Sequence, residues 1–364
     1  MTPVPTIAYF ITDHGFGHAS RAAAVMSAIE RRTRKVRFEI FTTSPRWIYA
    51  DSLAGHFGYH EVSTDVGVVQ RSPLKEDLET TVQALKQWLP FDDRRLDHLA
   101  DRLQRLGCHL VVCDVSALGI ATARRAGVPS VLIENFTWDF IYGAYARQWP
   151  ALGAVTEYLA GQYGHADFRL QTEPLCRRIQ GTVCLPPIAR VPRTERIEIR
   201  NQLNIPSDAK MVLVSMGGIP DRFEFLDRLP AGIGAYIVIP GSAQSTVSHP
   251  RVIHLPARSR FYHPDLVAAA DLLVGKAGYS TIAEAYHAGV PFAYIARPQS
   301  PESPALEKFI TDHLVCRSIG ARDYAEGRWI DMLPELLRLE KSRPDRENGA
   351  DEAARWIETR WSAH

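Results

Sequence analysis

Short apolar runs of strand length alternate with longer stretches of helical character along almost the whole chain. The first run, Thr6 to Thr12, is apolar and rich in β-formers, as a parallel strand covered on both faces should be. A glycine-containing loop from Asp13 to Gly17 follows, then an alanine-rich helix from about His18 to Arg32 and a second strand over Phe38 to Thr43. Two polar-faced helical stretches lie between Arg71 and Gly107. The alternation resumes with a strand over His109 to Asp114, a helix ending at Gly127, a strand over Pro129 to Asn135 and a long aromatic helix over Trp138 to Gly161. Such alternation predicts a parallel sheet with helices on both faces.

The segment Cys184 to Glu195 interrupts the pattern. Its three prolines and run of charge suit neither element, which marks it as a linker. Strands are then predicted over Lys210 to Ser215, Ala235 to Ile239, Val252 to Leu255, Leu272 to Val274 and Pro291 to Ala296. Two helices, Trp329 to Leu339 and Asp351 to Trp361, close the chain. At 364 residues the chain exceeds the size at which one core stops growing. The fold class expected is α/β, with two Rossmann-like doubly wound domains. These are residues 1–186 and residues 187–364, the second carrying the C-terminal helices.

Charge and cysteine usage act by exclusion. Lys plus Arg (42) nearly balances Asp plus Glu (41), so nothing points to nucleic acid, and an anionic ligand must be met by local charge. The five cysteines are scattered without a CxxC pair, which argues against a disulfide framework or a zinc knuckle and fits a reducing compartment. The N-terminus lacks signal-peptide features and its apolar run is too short for a bilayer. No transmembrane segment and a cytoplasmic location are expected. Oligomeric state leaves no mark on the sequence.

In a doubly wound sheet, ligands bind beyond the carboxyl ends of the strands. That rule selects Asp13 to Arg21, Asp114 to Ser116, Glu134 to Trp138, Ser215 to Gly218, Gly275 to Glu284 and Arg297 to Pro304. In the first of these, Gly15 and Gly17 allow close backbone approach, and His18 stands near the positive end of a helix, where it can serve as a base or simply cap the turn. Ser20 stands where a dinucleotide fingerprint needs its third glycine, and His14 with His18 lacks a third metal ligand. No metal site is expected. Asp13 or Asp114 can orient His18, although Asp114 also suits a helix cap. Arg21 can meet a phosphate or pair with an acid. Trp138, Phe140 and Tyr142 can form a sugar-stacking wall, or a core-facing helix side.

The second informative stretch runs from Leu272 to Glu284. A strand feeds a loop holding Lys276 and Gly278, and a helix begins near Ser280, so free amides, the Ser280 and Thr281 hydroxyls and Lys276 together suit a pyrophosphate. Glu284, one turn in, can accept from both ribose hydroxyls or complement the helix dipole. Gly217 and Gly218, after the first strand of the second half, offer another backbone cradle.

These residues carry a resemblance. The loop Gly-x-Gly-His-x-x-Arg (Gly15 to Arg21) and the later Gly-x-Ser-Thr-x-x-Glu (Gly278 to Glu284) resemble glycosyltransferases of the GT-B fold, two such domains facing a cleft. Family-28 enzymes around the lipid-II-forming N-acetylglucosaminyltransferase are similar. So is the glycosyltransferase-like N-terminal portion of plant arabinokinases, which shares the segment Asn135 to Tyr142. The resemblance implies a nucleotide-sugar donor, UDP-linked, on the C-terminal half, held by Gly217, Gly218, Lys276, Gly278, Ser280, Thr281 and Glu284, with Glu302 in the loop that reads the sugar. It implies an acceptor on the N-terminal half: a small molecule, a glycan or a lipid-linked species. The candidates there are His14, Gly17, Arg21, Glu134, Asn135 and Trp138, with His18 as base. Inverting, metal-independent transfer of a hexosyl group follows, with no cofactor beyond the co-substrate. The same opening loop also resembles UDP-sugar hydrolases, and a non-catalytic nucleotide-sugar-binding regulator is a third reading.

Overall fold

The apolar runs form two parallel sheets. The computed structural model describes residues 4–33, 35–72, 75–217, 226, 229, 234–243, 247–249, 251–342 and 346–361. The strands of the first half are β1 (Thr6–Ile11), β2 (Arg37–Thr42), β3 (Phe57–Glu61), the short pair β4 (Gln70–Ser72) and β5 (Lys75–Glu76), β6 (Cys108–Asp114), β7 (Ser130–Glu134), β8 (Phe168–Thr172) and β9 (Val183–Leu185). Apart from the β4–β5 pair they form one seven-stranded parallel sheet in the order β3-β2-β1-β6-β7-β8-β9. Alternate side chains of β1 enter opposite cores, Ala8 and Phe10 on one face and Ile7, Tyr9 and Ile11 on the other. That is why its pattern is apolar throughout rather than alternating.

The second half repeats the plan. Its strands are β10 (Lys210–Ser215), β11 (Ala235–Ala243), β12 (Val247–His249), β13 (Val252–Pro256), β14 (Leu272–Lys276), β15 (Phe292–Ile295) and β16 (Cys316–Ile319). They order as β12-β13-β11-β10-β14-β15-β16, all parallel except β12. Met211 and Leu213 of β10 pack on one face, Val212 and Val214 on the other.

The chain divides into two compact units, the first comprising residues 1–69, 76–189 and 347–364, the second residues 70–75 and 190–346. The expected linker does contain the break, between Ala189 and Arg190. The terminal helix Gly349–Trp361 corrects the expected division. Its Ala350, Ala353, Ala354 and Ile357 are buried with Ala22, Val25 and Met26 of the helix Phe16–Arg32, so it belongs to the first unit. The long aromatic helix is also two helices, Trp138–Tyr145 and Leu152–Gly164, because Pro150 cannot continue the first. Among the described residues no helix is long and apolar enough to cross a membrane.

Candidate functional site

The first unit gathers polar groups where β1, β6 and β7 end. After β1, Gly15 turns the chain into the helix Phe16–Arg32 with φ 74°, a conformation that favours glycine. Gly17, by contrast, is already helical. His18, in the first turn, is 7% exposed. Asp114, the last residue of β6, lies opposite Ile11 of β1, and its Oδ1 is 2.8 Å from His18 Nδ1. Arg21, one turn further along the helix, grips the same carboxylate through Nε to Oδ2 at 2.8 Å and Nη2 to Oδ1 at 2.6 Å. Its Nη1 donates to Asn135 Oδ1, just beyond β7, at 2.6 Å.

These distances set the histidine tautomer. An ionised carboxylate only accepts, so the proton of His18 sits on Nδ1 and the Nε2 lone pair faces away from Asp114. Burial alone would raise the Asp114 carboxyl. The charge and hydrogen bonds of Arg21, then those of His18, outweigh burial and hold it below the usual carboxylate range.

The other acceptor-side candidates scatter. Arg21 is 1% exposed, the buried counter-ion of Asp114 rather than a cation awaiting a phosphate. Asp13 accepts from Thr43 Oγ1, so Asp114 is the acid that orients His18. His14 packs edge-on against Trp138, with ring centroids 5.4 Å apart, beside Gly67. Glu134 is buried and accepts from Gln171 Nε2 at 2.8 Å; burial pushes its carboxyl up, and the Gln171 bond opposes that only in part. Trp138 stacks on Tyr142 at 5.6 Å and is 2% exposed, part of the core and not an open wall.

In the second unit the ends of β10 and β14 lie side by side. Ser215 pairs with Gly275, where a Cβ would come within 2.1 Å of the Ser215 carbonyl oxygen, so only glycine permits the approach. Gly217 follows at φ 72°, and Gly218 lies outside the described residues. Lys276 ends β14 beside Gly217, its Nζ 3.8 Å from where a Gly217 Cβ would stand. Burial and then the Arg297 charge, against Glu302, lower its ammonium to about 8. Among the described residues Lys276 makes no hydrogen bond or ion pair. The helix Tyr279–Ala288 then starts at Gly278 with no side-chain cap and no acid in its first turn, which holds Ser280 and Thr281. A desolvated cation, a left-handed glycine and uncapped amides converge on one small region, the chemistry of an anion cradle.

Glu284 is not free to serve a ligand with both oxygens. Arg190 donates to Oε1 from Nε at 3.2 Å and Nη2 at 2.9 Å, and His263 Nδ1 lies 2.7 Å from Oε2. His263 Nε2 in turn lies 3.1 Å from Ser215 Oγ. Burial raises the Glu284 carboxyl, but Arg190 and then His263 bring it below its ordinary value. Glu302 pairs with Arg297, closing the loop expected to read the sugar. Sequence reasoning missed Arg190 and the ordered chain Glu284–His263–Ser215. His263, directly after Tyr262 at a helix start, stood out only for its backbone, as a place where amides could meet a nucleobase; nothing in the sequence signalled its side chain.

The chain is 27% identical over 356 residues to the L-arabinokinase of Arabidopsis thaliana, a match covering 95% of this chain and 33% of that protein. It thus spans about a third of the length of the curated relative it matches. A UDP-glucosyltransferase from Polygonum tinctorium, capable of glucosylating indoxyl, superposes with a TM-score of 0.61 at 14% identity, over 100% of both chains. MurG of Acinetobacter baumannii superposes at 0.55 and 15% identity, over 98% of this chain and 99% of that one. The fold is that of the GT-B glycosyltransferases. Two doubly wound sheets, each with its polar groups at the strand ends, are the GT-B plan that the two sequence motifs anticipated. No family model matches this GT-B chain.

Proposed function

We propose that this chain transfers a hexosyl group from a UDP-sugar to an acceptor hydroxyl, with inversion and without a metal ion. The observation that carries the reading is Lys276, a desolvated cation with no ion pair among the described residues, beside Gly217 and an uncapped helix start. A diphosphate supplies the missing charge. The acceptor oxygen attacks the anomeric carbon as the bond to the diphosphate breaks. The nucleoside diphosphate leaves with the electron pair, stabilised by Lys276 and the first-turn amides.

In the other unit His18 Nε2 removes the acceptor proton as the new C–O bond forms. Asp114 holds the imidazole in the tautomer that makes Nε2 the base and faces the charge that develops on the ring. His263, held by Glu284, and Ser215 present a donor–acceptor pair suited to a ribose or phosphate oxygen. The acceptor is a small molecule, a glycan or a lipid-linked alcohol. Five cysteines without a disulfide among them fit a cytosolic setting.

Incubation of the purified chain with UDP-sugars and a panel of alcohols, followed by mass spectrometry, tests the reading. Glycosylated product lost in His18→Ala supports it. Free sugar released at full rate without any alcohol makes the chain a hydrolase instead.

A further inference from the structure

His18 and Arg21 stand three residues apart on the helix Phe16–Arg32, so their side chains share one face and meet the same carboxylate. Arg21 does more there than neutralise Asp114. Its Nη2 is 2.6 Å from Asp114 Oδ1 and also 3.1 Å from His18 Nδ1. The proton on Nδ1 already serves Asp114, and a guanidinium only donates, so this second contact is not a hydrogen bond. It sets a permanent cation against the imidazole ring.

Solvent does little to screen these charges. Arg21 and Asp114 are each 1% exposed, Asn135 is fully buried and accepts from Arg21 Nη1, and Phe136 stands edge-on to the His18 ring with centroids 5.6 Å apart. The ring therefore meets a carboxylate at 2.8 Å and a guanidinium at 3.1 Å. Opposite charges at nearly equal distance nearly cancel, whatever the effective dielectric. A single charge this close typically moves a titration by about 1–3 pH units. Left alone, Asp114 would favour the imidazolium, which has no lone pair to take a proton from an alcohol. The other titratable groups that feel the pair are the Tyr9 and Tyr49 phenols, the Cys113 thiol and the Glu134 carboxyl, each of which burial favours in its uncharged form.

We infer that Arg21 is a positioning residue for the base: it cancels the field of Asp114 at the imidazole, so that Asp114 fixes the His18 tautomer without drawing a second proton onto Nε2. The use of this balance in catalysis rests on the transferase reading; the balance itself does not.

Removing both charges together separates this role from a merely structural one. The double variant Arg21→Met/Asp114→Asn replaces a buried ion pair by uncharged groups of similar volume, an exchange that folds commonly tolerate. An amide at position 114 still accepts from His18 Nδ1–H, which keeps the tautomer. The His18 Cε1–H signal, followed by NMR against pH without donor or acceptor, is assigned by its loss in His18→Ala. In the double variant it should titrate within about half a pH unit of the parent, because the two charges removed cancel. Asp114→Asn alone should move it down and Arg21→Met alone should move it up, each by at least about one unit. A double variant that departs further from the parent, or an Arg21→Met variant that titrates with the parent, overturns the inference. In the transferase assay the acid limb of kcat should shift in the same order across these proteins. If the parent turns over no UDP-sugar, the transferase reading fails while the NMR titrations still decide the role of Arg21.

Discussion

Replacing Lys276 by Met removes the charge and keeps most of the side chain's bulk. A lysine and a phosphate oxygen about 4 Å apart attract by about 4 kcal/mol at the effective dielectric of a partly buried site. Diphosphate desolvation and sharing of its charge with the helix amides reduce this to roughly 2–3 kcal/mol, the range of a charge-assisted hydrogen bond. UDP-glucose should then bind roughly 30- to 150-fold more weakly to Lys276→Met. Calorimetric titration measures this directly, with uridine, which lacks the diphosphate, as the control that should lose nothing.

The pH dependence adds a second signature. The free lysine is charged below about 8, so affinity should be level below that value. Above it affinity should fall about tenfold per pH unit, as binding must take up a proton. The variant should be flat. The ligand-free protein should respond the opposite way. Lys276 titrates lower folded than unfolded, so its charge weakens the fold fully below about 8 and ceases to do so as pH rises towards the ordinary lysine value. Lys276→Met should therefore melt higher than the parent at pH 7, with the advantage fading in alkali. Unchanged affinity in the variant, or an equal loss for uridine, refutes the cradle.

His18→Ala should lower kcat by about 100- to 10,000-fold while the donor Kd stays within twofold, checked by product formation and calorimetry. Asp114→Asn leaves Arg21 buried without its counter-charge and should cost about 3–5 kcal/mol in urea unfolding at pH 7. The Asp114 carboxyl sits below its ordinary value, so that cost should persist through neutrality and shrink only as acid protonates the parent's group. Gly217→Ala must adopt φ 72° with a side chain, which should destabilise the second unit by about 1–2 kcal/mol and weaken UDP-glucose binding.

What could be read in advance, and what could not, divides along contact range. β1, β6, β7, β10 and β14 are buried on both faces, so their composition alone announces parallel strands. β3 escaped notice because Gly58, His60 and Glu61 break its apolar character. The glycine is there because a Cβ would come within 1.7 Å of the buried Glu39 carboxylate. The terminal helix shows an apolar side, but no periodicity says which unit covers it. In the site, strand-end position found His18, Asp114, Lys276 and Glu284. It did not say that Arg21 would span 93 residues to clamp Asp114, or that His263 would fall between Glu284 and Ser215.

Hydrogen exchange by mass spectrometry, with and without saturating UDP-, GDP- and dTDP-sugars, tests the central claim most directly. A UDP-sugar should slow exchange at Ser215 to Gly217 and across Lys276 to Glu284, with loss of that protection in Lys276→Met. Protection confined to the His18 loop, or none with any nucleotide sugar, contradicts it.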